Sequence, residues 1–242
     1  MEEVKEEKFG SRNSILKSIF YKNSIDYIAN IWVVTCRQAI NNDKNIRYLV
    51  IIEGSYSEKY KDLLSQINTN ISIINVMFNE EAQKVTINNI RTKQKGKLSY
   101  EKFKKRIIEI TNCKFIDSYA MGSKEATPLS RFFRENMGKG FALTDIDFYL
   151  TKNRLFIEEK SFIKGNTGYI GIGQCISFKE IINDIFPNIK LMIICIHNNE
   201  FFISNFNKID CRKSETVIGW GKMVSFNAKK INKEDLIKFL KQ

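Results

Sequence analysis

The chain has 242 residues, which is enough for one large domain or two smaller ones with a sizeable core. Its 43% of hydrophobic and 27% of charged residues are close to the averages of soluble globular proteins and exclude a disordered or fibrous protein. The net charge of +12 favours a polyanionic partner, of which nucleic acid is the commonest, although an ordinary basic surface would give the same charge.

The first part of the chain alternates between helical and extended patterns. Helices are predicted at residues 14–30, 57–67 and 98–111, strands at residues 31–36, 47–53, 71–78 and 84–90, and a turn at residues 41–43. The second helix repeats apolar side chains at Tyr60, Leu63 and Ile67, which is the spacing of one helix face. Such alternation is typical of the α/β class. We assign residues 1–118 to an N-terminal α/β region that serves DNA recognition or dimerisation.

The second part begins with a helix whose start is marked by two residues. Thr127 is suited to cap this helix and Pro128 to occupy its first position. Further strands are predicted at residues 144–150, 154–160, 190–196 and 201–204, and further helices at residues 174–186 and 233–240. The glycine-rich residues 165–173 are interpreted as a flexible loop. We assign residues 119–242 to a second region, with a single continuous fold as the alternative.

Hydropathy and cysteine content limit the cellular setting. No apolar stretch approaches the ~20 residues that a membrane helix needs, and residues 1–10 lack the apolar core of a secretory signal. The 5 cysteines are odd in number and show no CxxC spacing. We therefore expect no disulfide framework, and a reduced, cytoplasmic protein without a membrane partner.

Four charged residues on two neighbouring predicted strands carry the chemical interest. Side chains alternate along a strand, so Asp145 and Asp147 are expected on one face of the first strand. Glu158 and Lys160 are likewise expected on one face of the second strand, with Glu159 on the other. Clustered carboxylates repel one another unless a cation compensates, and their oxygens are ligands that Mg²⁺ prefers. The alternative is an ordinary hairpin whose charges face solvent.

This Asp…Glu-x-Lys pattern over two adjacent strands resembles the PD-(D/E)XK nuclease superfamily. The resemblance covers residues 127–204, where an apolar strand also follows the next helix, as the core of that family requires. The family's proline is absent, because a threonine precedes Asp145 and an isoleucine precedes Asp147. Either aspartate therefore fits the first position of the motif. The fold that the resemblance implies is a mixed central β-sheet flanked by helices, the restriction-endonuclease-like core.

The resemblance also implies roles for individual residues. The implied ligands of Mg²⁺, or of Mn²⁺ in its place, are Asp145 or Asp147, Glu158 and the main-chain carbonyl of Glu159. Lys160 would orient or activate the attacking water in the hydrolysis of a phosphodiester. Gln174 would contact metal-bound water, a phosphate or the lysine. Glu135 would complete a second metal site or hold nearby basic side chains.

Four further residues are assigned to nucleic-acid contact, namely Arg131, Arg134, Lys164 and Tyr169. The two arginines flank Glu135 on one predicted helix and would grip phosphates without reading sequence; the alternative is a solvated face with ion pairs to Glu135. Tyr169 would stack on a base or a sugar, and the alternative for it is packing. A homodimer is expected, because one site per chain cuts both strands most simply across a two-fold axis.

The chain is accordingly predicted to be a Mg²⁺-dependent DNA endonuclease, as found in restriction-modification systems. One alternative is a structure-selective nuclease that resolves DNA junctions. Another is a catalytically inactive nucleic-acid-binding protein on the same scaffold, although an inactive descendant would be free to lose the motif lysine. A last alternative is a structural protein whose acidic hairpin has no chemical role.

Overall fold

The computed structural model describes residues 14–36, 48–113, 127–138, 140–161, 163–217 and 221–242. The helices within these residues are α1 (Ile15–Lys22), α2 (Tyr60–Gln66), α3 (Tyr100–Thr111), α4 (Pro128–Asn136), α5 (Ile172–Glu180) and α6 (Lys233–Lys241). The strands are β1 (Tyr27–Cys36), β2 (Tyr48–Glu53), β3 (Ser72–Asn79), β4 (Lys84–Asn89), β5 (Lys95–Ser99), β6 (Phe141–Leu150), β7 (Leu155–Lys160), β8 (Ile163–Lys164), β9 (Thr167–Gly171), β10 (Lys190–His197), β11 (Glu200–Asn205), β12 (Ser214–Val217), β13 (Gly221–Asn227) and β14 (Lys229–Ile231). A π-helical turn, Ile181–Ile185, continues α5.

A 10-stranded mixed sheet forms the centre of the protein, with its strands in the order β14-β11-β10-β7-β6-β1-β2-β3-β4-β5. The pairs β2–β3 and β7–β10 are parallel, and the other neighbouring pairs are antiparallel. A 4-stranded sheet has the order β12-β13-β9-β8. The predicted α/β class, with a mixed central sheet flanked by helices, is confirmed.

The pairing of β1 with β6 connects the two parts of the chain. It runs from Tyr27 opposite Leu150 to Cys36 opposite Phe141. Through this pair, β1–β5 from the first part of the chain share one sheet with β6, β7, β10, β11 and β14 from the second. The proposed boundary at residue 118 and the predicted turn at residues 41–43 lie outside the described residues.

Hydrophobic clusters cover both faces of the large sheet. Ile31 and Val33 of β1 belong to a first cluster, whereas Trp32 and Val34 belong to a second, as strand alternation requires. The first cluster includes residues of α2, α5 and the 4-stranded sheet, and the second includes residues of α3 and α4. A third cluster packs α1 and α6 against β6, β7 and β10. The helices therefore flank the sheet on both sides.

The helix predicted over residues 14–30 is too long. α1 ends at Lys22, Ser24 has a left-handed φ of 52°, and β1 already begins at Tyr27. Tyr27 lies opposite Leu150 in the sheet, and its ring packs against that of Phe148. Pairing with a strand that is distant in sequence therefore overrides the local helical pattern.

The predictions also miss β5, which precedes α3 at the edge of the large sheet. It pairs with β4, from Lys84 opposite Ser99 to Asn88 opposite Lys95. Its lysines obscure any apolar alternation, and lysines are common on edge strands because they prevent pairing with other chains.

The glycine-rich residues 165–173 do not form the flexible loop that the sequence predicts. Their centre is β9, which pairs with β13 along its length. A Cβ added at Gly168 would lie 2.4 Å from Cζ of the buried ring of Phe226. The glycine at this position therefore lets β9 approach an aromatic ring of β13, so this segment is part of the packed structure.

The expectation of no disulfides is wrong for four of the cysteines. Cys36 pairs with Cys113 and Cys175 with Cys211, at Cα–Cα distances of 5.3 and 5.7 Å, while Cys195 is a buried free thiol. The partners are 77 and 36 residues apart in the chain, so no local spacing reveals them. The cytoplasmic location stays a prediction, and the two disulfides remove one of the arguments for it. No helix among the described residues is long and apolar enough to cross a membrane.

Gly168→Ala is expected to destabilise the protein, since the added methyl group meets the ring of Phe226. The free energy of unfolding, measured by urea denaturation, should fall by about 1–3 kcal/mol. Gly96→Ala is the control, because a Cβ at Gly96 meets no atom within 4 Å. Its effect should stay below about 0.5 kcal/mol.

A double variant tests whether the ring is the cause. Gly168→Ala combined with Phe226→Leu should cost less than the sum of the two single changes, since the smaller side chain relieves the clash. Strictly additive losses would contradict the proposed contact.

Candidate functional site

The strands β6 and β7 separate where the acidic residues lie. Their pairing runs from Leu150 opposite Leu155 to Phe148 opposite Ile157 and then stops. Beyond that point, the backbone N–H of Glu159 donates to Oδ2 of Asp147 at 2.7 Å. The side-chain carboxylate thus accepts a hydrogen bond from a backbone N–H next to the end of the β6–β7 ladder. The result is a fork between two central strands, with Asp147 at its branch point.

The expected sharing of one face by Asp145 and Asp147 rests on regular alternation, and β6 is irregular here. Regular alternation would place Ile146 and Phe148 on the same face of the sheet. Instead, Ile146 and Tyr149 pack in the first cluster, and Phe148 packs in the third. On the neighbouring strand β1, Ala29 lies opposite Phe148 and Ile31 lies opposite Ile146. Asn30 lies between them and has a left-handed φ of 57°. Asp145 is exposed, while Asp147 is partly buried in the fork.

Glu158, Lys160 and Gln174 form a closed triangle of hydrogen bonds. Lys160 Nζ lies 2.5 Å from Glu158 Oε1 and 2.9 Å from Gln174 Oε1. Gln174 Nε2 donates to the same Glu158 oxygen at 2.8 Å. The structure thus brings together three residues that the sequence analysis selected. Glu158 and Lys160 share one face of β7, as predicted.

Burial dominates the electrostatics of this cluster. It raises the pKa of Glu158 well above the ordinary value, and the neighbouring charge of Asp147 raises it further. Burial also raises the pKa of Asp147 to about 6, although the N–H of Glu159 opposes this effect. For Lys160, burial lowers the pKa, but attraction to Glu158 and to both aspartates outweighs it, so the pKa is raised. Lys160 is therefore an ammonium group at neutral pH.

Two carboxylates of the fork are candidate ligands for a hard divalent cation. Oε2 of Glu158 is buried and has no hydrogen-bond partner among the described residues. Asp147 supplies a second carboxylate, whose charge raises the pKa of Glu158. Carboxylate oxygens are the ligands that Mg²⁺ prefers. No group of three or more His, Cys, Asp or Glu side chains in the described part of the chain is arranged to hold a metal. Carbonyl oxygen and water would have to supply the remaining ligands.

The side chain of Glu159 lies on the opposite side of β7 and contacts the start of α1. Ser14, the N-cap of α1, donates its hydroxyl to Glu159 Oε2 at 2.5 Å. Burial raises the pKa of Glu159, and the hydroxyl of Ser14 and the backbone N–H groups of Ile15 and Leu16 oppose this rise. Only the main chain of Glu159 therefore faces the fork, which is consistent with the role predicted for its carbonyl.

The first turn of α1 adds two residues that the sequence analysis missed. Ser14 holds Glu159, and the charge of the half-buried Lys17 interacts with those of Asp147 and Glu159. Ser14 stood at the start of a predicted helix, which is a recognisable capping signal. Nothing in the sequence indicates that this helix packs beside a strand so far along the chain.

The predicted residues of α4 have contacts with other parts of the fold than the triangle. The helix begins as expected, with Thr127 accepting a hydrogen bond from the N–H of Ser130, and it docks on β2 because the N–H of Leu129 donates to Glu53 at 2.8 Å. Arg131 forms a bidentate ion pair with Glu80. The exposed Glu135 acts electrostatically on Tyr100. These contacts join α4 to β2, the β3–β4 turn and α3.

Three further predicted contact residues differ in their surroundings. Arg134 has a buried Nη1 atom with no hydrogen-bond partner among the described residues. Lys164 is exposed on β8, and Tyr169 is partly buried on β9 opposite Ser225. β8 and β9 are the segment that connects Lys160 to α5, so these two residues lie on the chain between two members of the triangle.

Comparisons with known proteins identify no family for this chain. No protein-family model, curated protein or solved structure matches the chain. Membership of the PD-(D/E)XK superfamily therefore stays a prediction.

Asp147→Asn is expected to make stability less dependent on pH. Because the pKa of Asp147 rises from 3.8 in the unfolded chain to about 6 in the fold, the folded state binds more protons than the unfolded state between these values. The wild type therefore loses stability relative to the variant as the pH rises through this window. The difference should grow by up to about 3 kcal/mol between pH 4 and pH 7.

Urea denaturation at several pH values in metal-free buffer measures this difference. Glu109→Gln, which removes an exposed carboxylate on α3, is the control and should show little pH-dependent difference from the wild type. A difference for Asp147→Asn that stays constant across the window would contradict the assigned pKa.

Proposed function

We propose that the chain is a Mg²⁺-dependent DNA endonuclease of the PD-(D/E)XK type that hydrolyses phosphodiester bonds. The observation that carries the proposal is the triangle of Glu158, Lys160 and Gln174 beside Asp147 at the fork. An unpartnered buried oxygen of Glu158 and an overall charge of +12 agree with a cation site and a polyanionic substrate.

Asp147 is the better candidate for the metal ligand than Asp145. It lies at the branch point, where the N–H of Glu159 fixes one of its oxygens, whereas Asp145 is exposed. Asp147, Glu158 and the carbonyl of Glu159 would hold Mg²⁺. When bound, Mg²⁺ would polarise the scissile phosphate and stabilise the charge that develops on it.

Lys160 acts in this proposal as a hydrogen-bond donor and not as a base, because its raised pKa keeps it protonated. An ammonium group has three N–H donors, and the contacts with Glu158 and Gln174 occupy two of them. The third has no hydrogen-bond partner among the described residues, so it could orient the attacking water or contact a phosphate oxygen. Gln174 fixes the direction of the amine, so it is a positioning residue.

The substrate assignment to DNA rests on charge and on the surroundings of the fork. Lys164 and Tyr169 lie on the two strands that connect Lys160 to α5, where a phosphate and a sugar or base could be contacted. Arg131 is paired with Glu80, so part of its charge is already compensated within the protein. A homodimer would place two such sites on opposite strands of a duplex.

Cleavage of a long mixed-sequence duplex with Mg²⁺ tests the activity. Lys160→Ala and Asp147→Asn should each lower the cleavage rate at least about 100-fold, because each removes charge or orientation at the reacting phosphate. Asp145→Asn is the matched control on the same strand and should retain activity within about tenfold. EDTA should abolish cleavage.

The pattern of products separates the alternatives. Discrete fragments would support a restriction-type enzyme, and cleavage confined to branched DNA would support a junction-resolving one. Salt-sensitive binding without cleavage of any DNA would contradict the proposal and favour the inactive scaffold. A larger loss in Asp145→Asn than in Asp147→Asn would reverse the choice of ligand.

Metal binding has a readout of its own. Mg²⁺ or Mn²⁺ at a concentration about 100 times its Kd should stabilise the wild type by about 2.7 kcal/mol and raise its Tm. Glu158→Gln should abolish this shift, because the neutral amide loses the buried anionic ligand. Equal shifts in the wild type and in Glu158→Gln would show that the metal binds elsewhere.

A further inference from the structure

The start of α1 and the fork are joined by a continuous set of hydrogen bonds. The hydroxyl of Ser14 accepts from the N–H of Lys17 at 3.2 Å and donates to the carboxylate of Glu159 at 2.5 Å. The N–H of Glu159 in turn donates to Asp147 at 2.7 Å. One residue of β7 thus contacts a helix cap with its side chain and a site carboxylate with its main chain.

The end of a helix is well suited to hold a carboxylate. The first N–H groups of an α-helix lack partners within the helix, and the helix dipole favours negative charge at this end. Glu159 uses both features, since the N–H groups of Ile15 and Leu16 stabilise its charged form. Its carboxylate is therefore fixed relative to α1, and α1 is fixed by the buried Leu16, Ile19 and Phe20 in the third cluster.

The backbone at Glu159 is not held by main-chain pairing with β6. The ladder between β6 and β7 ends at Phe148 opposite Ile157, so β7 continues past the fork without main-chain pairing to β6. On its other side, β7 pairs with β10, where Glu159 lies opposite Ile194. The contact with Ser14 adds a constraint from the face of the sheet.

We propose that Ser14 and Glu159 are positioning residues, which hold the β7 backbone so that the N–H of Glu159 fixes the carboxylate of Asp147. In the context of the proposed nuclease function, on which this part rests, they would set the affinity of the site for its metal. Neither side chain contacts the substrate, so the effect on metal binding is indirect. Lys17, in the same turn, adds positive charge near Asp147.

The test compares Ser14→Ala and Glu159→Gln with Ser14→Thr, which keeps the hydroxyl. Hydrogen exchange of the Glu159 amide, followed by NMR, reports the bond to Asp147 directly and needs neither metal nor DNA. We expect exchange at least tenfold faster in Ser14→Ala and Glu159→Gln, and little change in Ser14→Thr. The double variant should be no worse than the more affected single one, since both act through one contact.

Mn²⁺ titration supplies the second readout. The Kd for Mn²⁺ should rise at least threefold in Ser14→Ala and in Glu159→Gln and stay unchanged in Ser14→Thr. Ser65→Ala, which removes a hydroxyl from α2, is the control for a general loss of stability. It should alter neither amide exchange at Glu159 nor Mn²⁺ affinity.

Several results would overturn the inference. Unchanged exchange of the Glu159 amide in both variants would do so, as would an effect in Ser14→Ala alone, which would indicate a helix cap without a link to the fork. An equal effect in Ser65→Ala would indicate general destabilisation. If the wild type neither binds Mn²⁺ nor cleaves DNA while the exchange effect is present, the nuclease proposal fails and the positioning of Asp147 by Ser14 and Glu159 is supported.

Discussion

The proximity of two carboxylates, the buried Glu158 and the partly buried Asp147, is the constraint around which the fork is arranged. Burial raises the cost of ionising both Asp147 and Glu158, and the charge of Asp147 raises it further for Glu158. Three kinds of compensation are present: the ammonium of Lys160, the amide of Gln174 and the N–H of Glu159. They leave one oxygen of Glu158 without a partner. Negative charge that is only partly compensated lowers the stability of the fold and is suited to bind a cation. Neutralising a carboxylate of the fork is therefore expected to raise stability and to lower activity.

The large sheet holds this cluster between rigid neighbours. β6 is paired with β1 on one side, and β7 with the parallel strand β10 on the other, so the two strands can separate locally without opening the sheet. The 4-stranded sheet supports the segment between Lys160 and Gln174. Its strands β8 and β9 carry the chain from Lys160 to the start of α5, and Gly168 of β9 packs closely on Phe226 of β13. Gln174 therefore reaches the triangle from a well-supported backbone.

Local patterns allowed much of this to be predicted. The cap of α4, most helices and the strands that carry the acidic residues follow from short-range signals, and Glu158 and Lys160 lie on one face because β7 alternates regularly. Long-range partners could not be found in this way. β9 looked like a loop because its glycines are explained only by a ring on another strand, and the disulfides join cysteines that no spacing connects. The relation between Asp145 and Asp147 was obscured by an irregularity of β6, which lies beside Asn30 of β1 in a left-handed conformation. Ser14 and Lys17 were missed because the packing of α1 beside β7 is also a long-range contact.

The central place of β1 also affects how the protein is made. During synthesis β1 and β2 emerge early, but the other neighbour of β1 is β6, which is translated much later. Until then one edge of a long, largely buried strand has no partner, and such edges pair readily with other chains. Expression at low temperature or with chaperones should therefore increase the yield of soluble protein, and fragments that end before β6 should aggregate.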